Sequence, residues 1–112
     1  MDTTTDLRQQ ALRVSLDRVD GVLYTHHHAD HILGLDELRI FGFVHGISIP
    51  LYGLPDTMDA IRHTFEYAFD NNAHGAPRID INTFDGPFNL RGVKVVPIPV
   101  LHDRITISAY RI

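Results

Sequence analysis

Cysteine is absent. That excludes disulfides, thiolate metal ligands and a cysteine nucleophile. No apolar run approaches the roughly 18 residues of a membrane span. The opening MDTTTDLRQQ lacks the basic and then apolar layout of a signal peptide. No repeat, low-complexity tract or linker interrupts the chain. Basic residues are in the minority, 10 Lys+Arg against 14 Asp+Glu, for a formal net charge of −4. Nucleic acid held by charge alone is therefore not the expected partner. A phosphate-bearing substrate held through a metal remains compatible with that balance. The length of 112 residues allows one domain. Its 44% hydrophobic and 21% charged residues are those of an ordered globular chain. A cytoplasmic location, with no membrane partner, is the expectation.

Helical and extended patterns alternate along the chain. Asp6, with Gln9 three residues on, predicts a capped helix to about Ser15 whose apolar face is Leu7, Ala11 and Val14. Val22 to Thr25 reads as a short buried strand. A second helix is expected from about Asp30 to Phe41, with Ile32, Leu35 and Leu38 on one side. Gly34 weakens that helix by about 1 kcal/mol relative to Ala, which points to a close packing contact there. Ile47 to Tyr52 is a strand whose Pro50 suggests an edge or kink. Asp56 is the expected N-cap of a helix over 57–69, whose stripe of Met58, Ile61, Phe65 and Phe69 reads as core. Asn71 to Pro77 is loop by composition. Strands are expected at Ile79–Phe84, at Val93–Leu101 with interruptions at Pro97 and Pro99, and at Arg104–Ile112 by alternation. The fold class is α/β or α+β, built in layers.

Histidine is what the chain has in excess, with eight in all. The core of this excess is Thr25-His26-His27-His28-Ala29-Asp30-His31. At the end of a strand, side chains alternate, so His26 and His28 share one side and His27 takes the other. Asp30 and His31 then enter a helical turn that folds back towards the strand end. Imidazole nitrogen and carboxylate oxygen suit Zn²⁺, Mn²⁺ or Fe²⁺. Four donors in so short a segment crowd one ion and fit two, the arrangement of metal-assisted hydrolysis. A His-rich polar loop or the remnant of a tag is the bland reading. A tag lies at a terminus, whereas this stretch sits between a strand and a helix.

The pattern His26-x-His28-x-Asp30-His31, after an apolar strand and before Gly34-Leu35, resembles the metallo-β-lactamase superfamily signature. The longer string from Tyr24 to Arg39 resembles one branch, that of the cyclic phosphodiesterase of phosphonate breakdown. So do Asp2-Thr3-Thr4-Thr5-Asp6-Leu7-Arg8-Gln9-Gln10 and Pro97-Ile98-Pro99-Val100-Leu101-His102. The resemblance implies about half of a four-layer αββα sandwich. Residues 1–112 would then be a partial domain, without the family's first strands and its C-terminal half. It implies that His26, His28 and His102 hold a first metal and that Asp30 and His31 belong to a second. Asp30 would also stand near the bridging water and take part in proton transfer. His27 occupies a variable position. A bridging Asp and a last His of the family pattern have no counterpart before Ile112. Superfamily members that bind iron for redox work have Glu where this chain has His28, which favours the hydrolytic branch.

His102, next to Asp103 and after apolar and Pro residues, also fits a buried structural histidine. His63 reads as solvent-facing and His45 as a helix-terminal residue. His74 sits in a flexible loop beside Gly75; the branch resemblance implies that such a loop can border the substrate cleft. Arg78 and Arg104 fit a phosphate or surface ion pairs. The expected function is a metal-dependent hydrolase, phosphodiesterase-like, with one or two Zn²⁺ ions activating water on a small phosphodiester or related substrate. The alternative is a non-catalytic metal-binding fragment that self-associates as a homo-oligomer, because half a sandwich leaves an apolar sheet face uncovered.

Overall fold

In the computed structural model, residues 1–70 and 74–112 are described. The first helix, α1, covers Leu7–Arg13, with Asp6 at its N-cap position but without a side-chain capping bond. Leu7 and Ala11 pack on the core. Val14 does not, because the helix has already ended, and it is 69% exposed.

The expected helix from Asp30 to Phe41 is broken into α2 (Ala29–Ile32), a 3₁₀ turn (Leu35–Glu37) and α3 (Leu38–His45). The break is caused from outside. The Gly34 N–H donates to the Thr3 carbonyl at 2.9 Å instead of continuing the helical ladder. A Cβ at Gly34 would lie 2.0 Å from the Thr4 carbonyl oxygen, so the close contact expected there is real. Helix α3 runs on to His45 and stops at Gly46, whose φ of 63° is left-handed. The helix after the second strand, α4 (Pro55–Thr64), starts one residue before Asp56, so Asp56 sits in its first turn and does not cap it. Proline at the first helical position supplies the start, since its φ is already helical and its missing N–H is not needed there. A separate 3₁₀ turn, Glu66–Phe69, follows. Met58, Ile61 and Phe65 are buried in the core, and Phe69 packs against it.

Strands β1 (Val22–Leu23), β2 (Ile49–Gly53) and β3 (Ile79–Thr83) form a parallel sheet in that order. Pro50 lies within β2 without breaking it. The buried face of β2 (Ile49, Leu51) meets Leu35, Leu38, Phe41 and Ile61 in one core. A second sheet, antiparallel, contains β4 (Phe88–Leu90), β5 (Val93–His102) and β6 (Ile105–Arg111). The sequence pattern predicts no strand at β4. Part of the Asn71–Pro77 loop, residues 71–73, lies outside the described residues.

Strand β5 is continuous, contrary to the expected interruptions at Pro97 and Pro99. These residues face Tyr110 and Ser108 of β6. The Ser108 N–H points away from β5, donating to the Thr25 carbonyl at 2.9 Å. Pro99 therefore occupies a pair that exchanges no backbone bonds, and so, two residues back, does Pro97. Neither position needs an N–H towards β6. On the other side, β4 pairing ends at Val95. An aromatic ladder joins the sheets: Tyr52 stacks on Phe88 at 4.8 Å, Phe88 on Phe84 at 5.3 Å, and Phe84 meets Tyr110 edge-on at 5.9 Å. Among the described residues, no helix is long and apolar enough to cross a membrane.

The Gly34 contact sets a test of the fold. Gly34→Ala forces either the Thr4 carbonyl or α2 to move, an overpacking cost of about 2–3 kcal/mol. Gly86→Ala meets nothing within 4 Å and serves as the control. Urea unfolding should show a large drop in midpoint for the first variant and almost none for the second.

Candidate metal centre

The histidine motif begins where the parallel sheet ends. Backbone bonds hold the segment before it from two sides. The Tyr24 N–H donates to the Tyr52 carbonyl at 2.8 Å, which extends β1 beyond its paired residues. The Tyr110 hydroxyl donates to the Tyr24 carbonyl at 2.7 Å, and the Ser108 N–H to that of Thr25. Burial pushes the Tyr110 phenol up to about 12, so it acts as a donor throughout the physiological range. These two bonds dock β6 against the motif. Because His102 faces Ile105 at the hairpin end of β5, docking β6 carries His102 to His26 and His28.

One ring nitrogen from each of His26, His28 and His102 lies within 4.8 Å of the others. The His26 Nε2 and His28 Nδ1 atoms are 3.0 Å apart. Ring centroids of His102 lie 5.3 Å from His26 and 5.6 Å from His28. His26 is buried, while His28 and His102 are exposed. The exposure of His102 goes against the reading of a buried structural histidine. Three imidazoles converging from two segments, His26 buried and His28 and His102 open to solvent, suit a divalent metal ion. The arrangement can hold one ion. His27 lies outside the group; its ring centre is 5.9 Å from that of His28.

His31 packs its ring 4.1 Å from that of His26. Its Nε2 lies 3.5 Å from the Asp30 carboxylate, whose side chain is 78% exposed. Asp30 and His31 are thus neighbours, and His31 connects them to the three-histidine group. Burial, then the facing His31 and His28 rings, holds the His26 pKa below its ordinary 6.5, against the opposing pull of Asp2. His26 therefore keeps a free lone pair further into the acid range than an exposed histidine.

Asp2 and Thr25 stand in the sequence only within longer strings that give neither of them a role. The Asp2 Oδ1 accepts the Thr25 N–H at 2.7 Å, and Oδ2 lies 3.0 Å from both the Thr25 hydroxyl and His31 Nδ1. No local spacing signals this, because the partners stand 23 and 29 residues away. The remaining candidates lie elsewhere. His63, His74, Arg78 and Arg104 are exposed. His45 closes α3, and its Nε2 donates to the Asp17 carbonyl at 2.7 Å.

Residues 1–112 match the family described as beta-lactamase superfamily domain. A crystal structure of a diphosphatase from the PhnP family superposes with a TM-score of 0.87 at 38% identity, over 98% of this chain and 42% of that one. An octanoyltransferase of Porphyromonas gingivalis (strain ATCC BAA-308 / W83) is 35% identical over 115 residues, which is all of this chain and 23% of that protein. The anti-Pycsar protein Apyc1 of Bacillus phage 010DV004 is 31% identical over 101 residues, 85% of this chain and 37% of that protein. The chain spans less than half the length of each of these relatives. With the family matched along its whole length and its two sheets superposing on a PhnP-family structure, this chain belongs to the beta-lactamase superfamily.

Proposed function

We propose that this chain supplies the histidine side of a metal-dependent hydrolase centre that cleaves phosphoester or phosphoanhydride bonds. The observation that carries the reading is the convergence of His26, His28 and His102 on one volume open to solvent. The bond class follows from the likeness to a diphosphatase. His26, His28 and His102 would hold the first ion, and Asp30 with His31 would belong to a second. Zn²⁺ fits the nitrogen donors best, with Mn²⁺ and Fe²⁺ as alternatives. A bound divalent metal supplies a water acidic enough to be hydroxide near neutral pH.

The chain's own residues do the rest. The backbone of Tyr24 and Thr25, tied to β6, fixes the direction from which His26 approaches. His26, buried and held neutral, presents a lone pair and no charge. Asp30, exposed beside His31, would take a proton from an incoming water and hand it to a leaving oxygen. A second reading, a metal-binding chain that pairs with another copy and turns over nothing, draws on Ile98 and Val100 of β5, 45% and 42% exposed.

Metal content separates neighbouring histidines. After dialysis, His28→Ala should lose most of the zinc found by elemental analysis, because an ion that wants four positions filled keeps only two imidazoles. His27→Ala should keep nearly all of it. Equal losses would break the assignment.

Turnover separates the two readings. With zinc bound, bis(p-nitrophenyl) phosphate should be hydrolysed slowly, and a chelator should stop the reaction. Asp30→Ala should lower the rate by about 100-fold or more while His26, His28 and His102 still retain zinc. Zinc binding with no hydrolysis at any protein concentration would favour the non-catalytic reading.

A further inference from the structure

We propose that Asp85, at the bend by which the chain crosses from the first sheet to the second, is a site of spontaneous isoaspartate formation. Aspartate followed by glycine occurs twice in the chain, at Asp20-Gly21 and at Asp85-Gly86. In such a pair the glycine backbone nitrogen attacks the side-chain carboxyl carbon of the aspartate. A C–N bond forms, the carboxyl hydroxyl leaves with the amide hydrogen as water, and a succinimide ring closes. Water then reopens the ring. Attack at the side-chain carbonyl restores aspartate. Attack at the main-chain carbonyl leaves that carbon as a free carboxylate, and the chain now runs through the aspartate Cβ and Cγ. The change is an isomerisation, with nothing oxidised or reduced and no atom gained overall. Glycine favours it because it has no Cβ to obstruct the ring and leaves the backbone free to turn.

The surroundings separate the two pairs. Asp85 and Gly86 form a bend outside β3 and β4, and Asp85 is exposed. A Cβ on Gly86 would meet nothing within 4 Å. Among the described residues, no cation pairs with the Asp85 carboxylate. The peptide between the two residues can therefore rotate towards the carboxyl group. Asp20 and Gly21 are held instead. Asp20 Oδ1 lies 2.8 Å from Arg18 Nε and 4.0 Å from Arg91 Nε. Exposed ion pairs alone restrain little. The stronger restraint is steric: a Cβ on Gly21 would lie 3.2 Å from the Leu90 methyl carbons and 3.3 Å from the Pro50 carbonyl oxygen. The next residue, Val22, is paired with Leu51. Rotating the Asp20–Gly21 peptide would disturb all of these contacts.

The place of the bend gives the product a consequence. Among the described residues, the chain passes from the first sheet to the second once, between β3 and β4. Phe84 and Phe88, on either side of the bend, stack at 5.3 Å in the ladder that joins the sheets. Isoaspartate lengthens the main chain between those rings by one carbon and leaves a carboxylate directly on the Cα.

The test is incubation of the full chain at neutral pH, both folded and in guanidinium chloride. Trypsin and electron-transfer fragmentation follow, which tell isoaspartate from aspartate at equal mass. Cleavage after arginine puts the two pairs on separate peptides, residues 19–39 and 79–91. Incubation runs until the unfolded chain carries isoaspartate in both peptides. In the folded chain, residues 79–91 should then carry several-fold more than residues 19–39, whereas in the unfolded chain the two should be similar. Asp85→Glu, which would have to close a larger and slower-forming ring, should remove most of the signal from residues 79–91. Gly86→Ala should do the same, and both should leave residues 19–39 unchanged. Isoaspartate at Asp20 equal to or above that at Asp85 in the folded chain overturns the proposal. So does a folded chain that forms none at either.

Discussion

The hydrogen bonds made by residues 2–4 are the constraint on which the rest of this structure depends. They join three stretches that the chain order keeps apart. The Asp2 N–H reaches the end of β1, the Thr3 N–H the carbonyl of His31 at 2.8 Å, and the Gly34 N–H the carbonyl of Thr3. The Thr3 hydroxyl, 1% exposed, lies 3.1 Å from the Ile32 carbonyl and 2.7 Å from the Tyr24 hydroxyl. A carbonyl only accepts, so Thr3 donates to Ile32 and Tyr24 donates to Thr3. Burial holds the Tyr24 phenol well above its usual range, which keeps it a donor. Leaving any of these buried groups unpaired costs about 1–3 kcal/mol each. Together they tie the end of β1 to α2 and the residue pair after it; His26, His27 and His28 lie between β1 and α2, and His31 lies within α2.

His102 depends on a different device. Its position follows from a hairpin register and from two bonds that β6 makes to Tyr24 and Thr25. A shift of one residue in the β5–β6 pairing would turn His102 to the other face of the sheet. The aromatic ladder from Tyr52 to Tyr110 resists that shift, since its rings come from both sheets and stack in one order only.

The site was legible in the sequence where its donors are close together. His26-x-His28-x-Asp30-His31 announces itself by spacing, and strand alternation separates His27 from its neighbours. His102 was legible only through resemblance, because its arrival depends on β6. Asp2 had no legible role, since its partners are remote in sequence and its backbone is left-handed. The same limit explains the fold. The stripe Met58, Ile61 and Phe65 reads correctly because a helix carries its own period. The break at Gly34 does not, because it is imposed by Thr3 and Thr4. Pro97 and Pro99 read as interruptions because the side of β5 that each nitrogen faces is set by the pairing with β6 and not by the local sequence.

Those two prolines have a further consequence. Beyond Val95, no strand among the described residues pairs with the β5 edge opposite β6. An unpaired edge next to exposed Ile98 and Val100 is a template on which another molecule's strand can grow into a fibril. Beyond Val95 the first two outward backbone positions on that margin are Pro97 and Pro99, which have no hydrogen to give. An incoming strand finds carbonyls without the matching donors, and its ladder fails within two bonds. The feature that looked like damage to the strand is thus a guard against aggregation, built into the stretch that leads to His102.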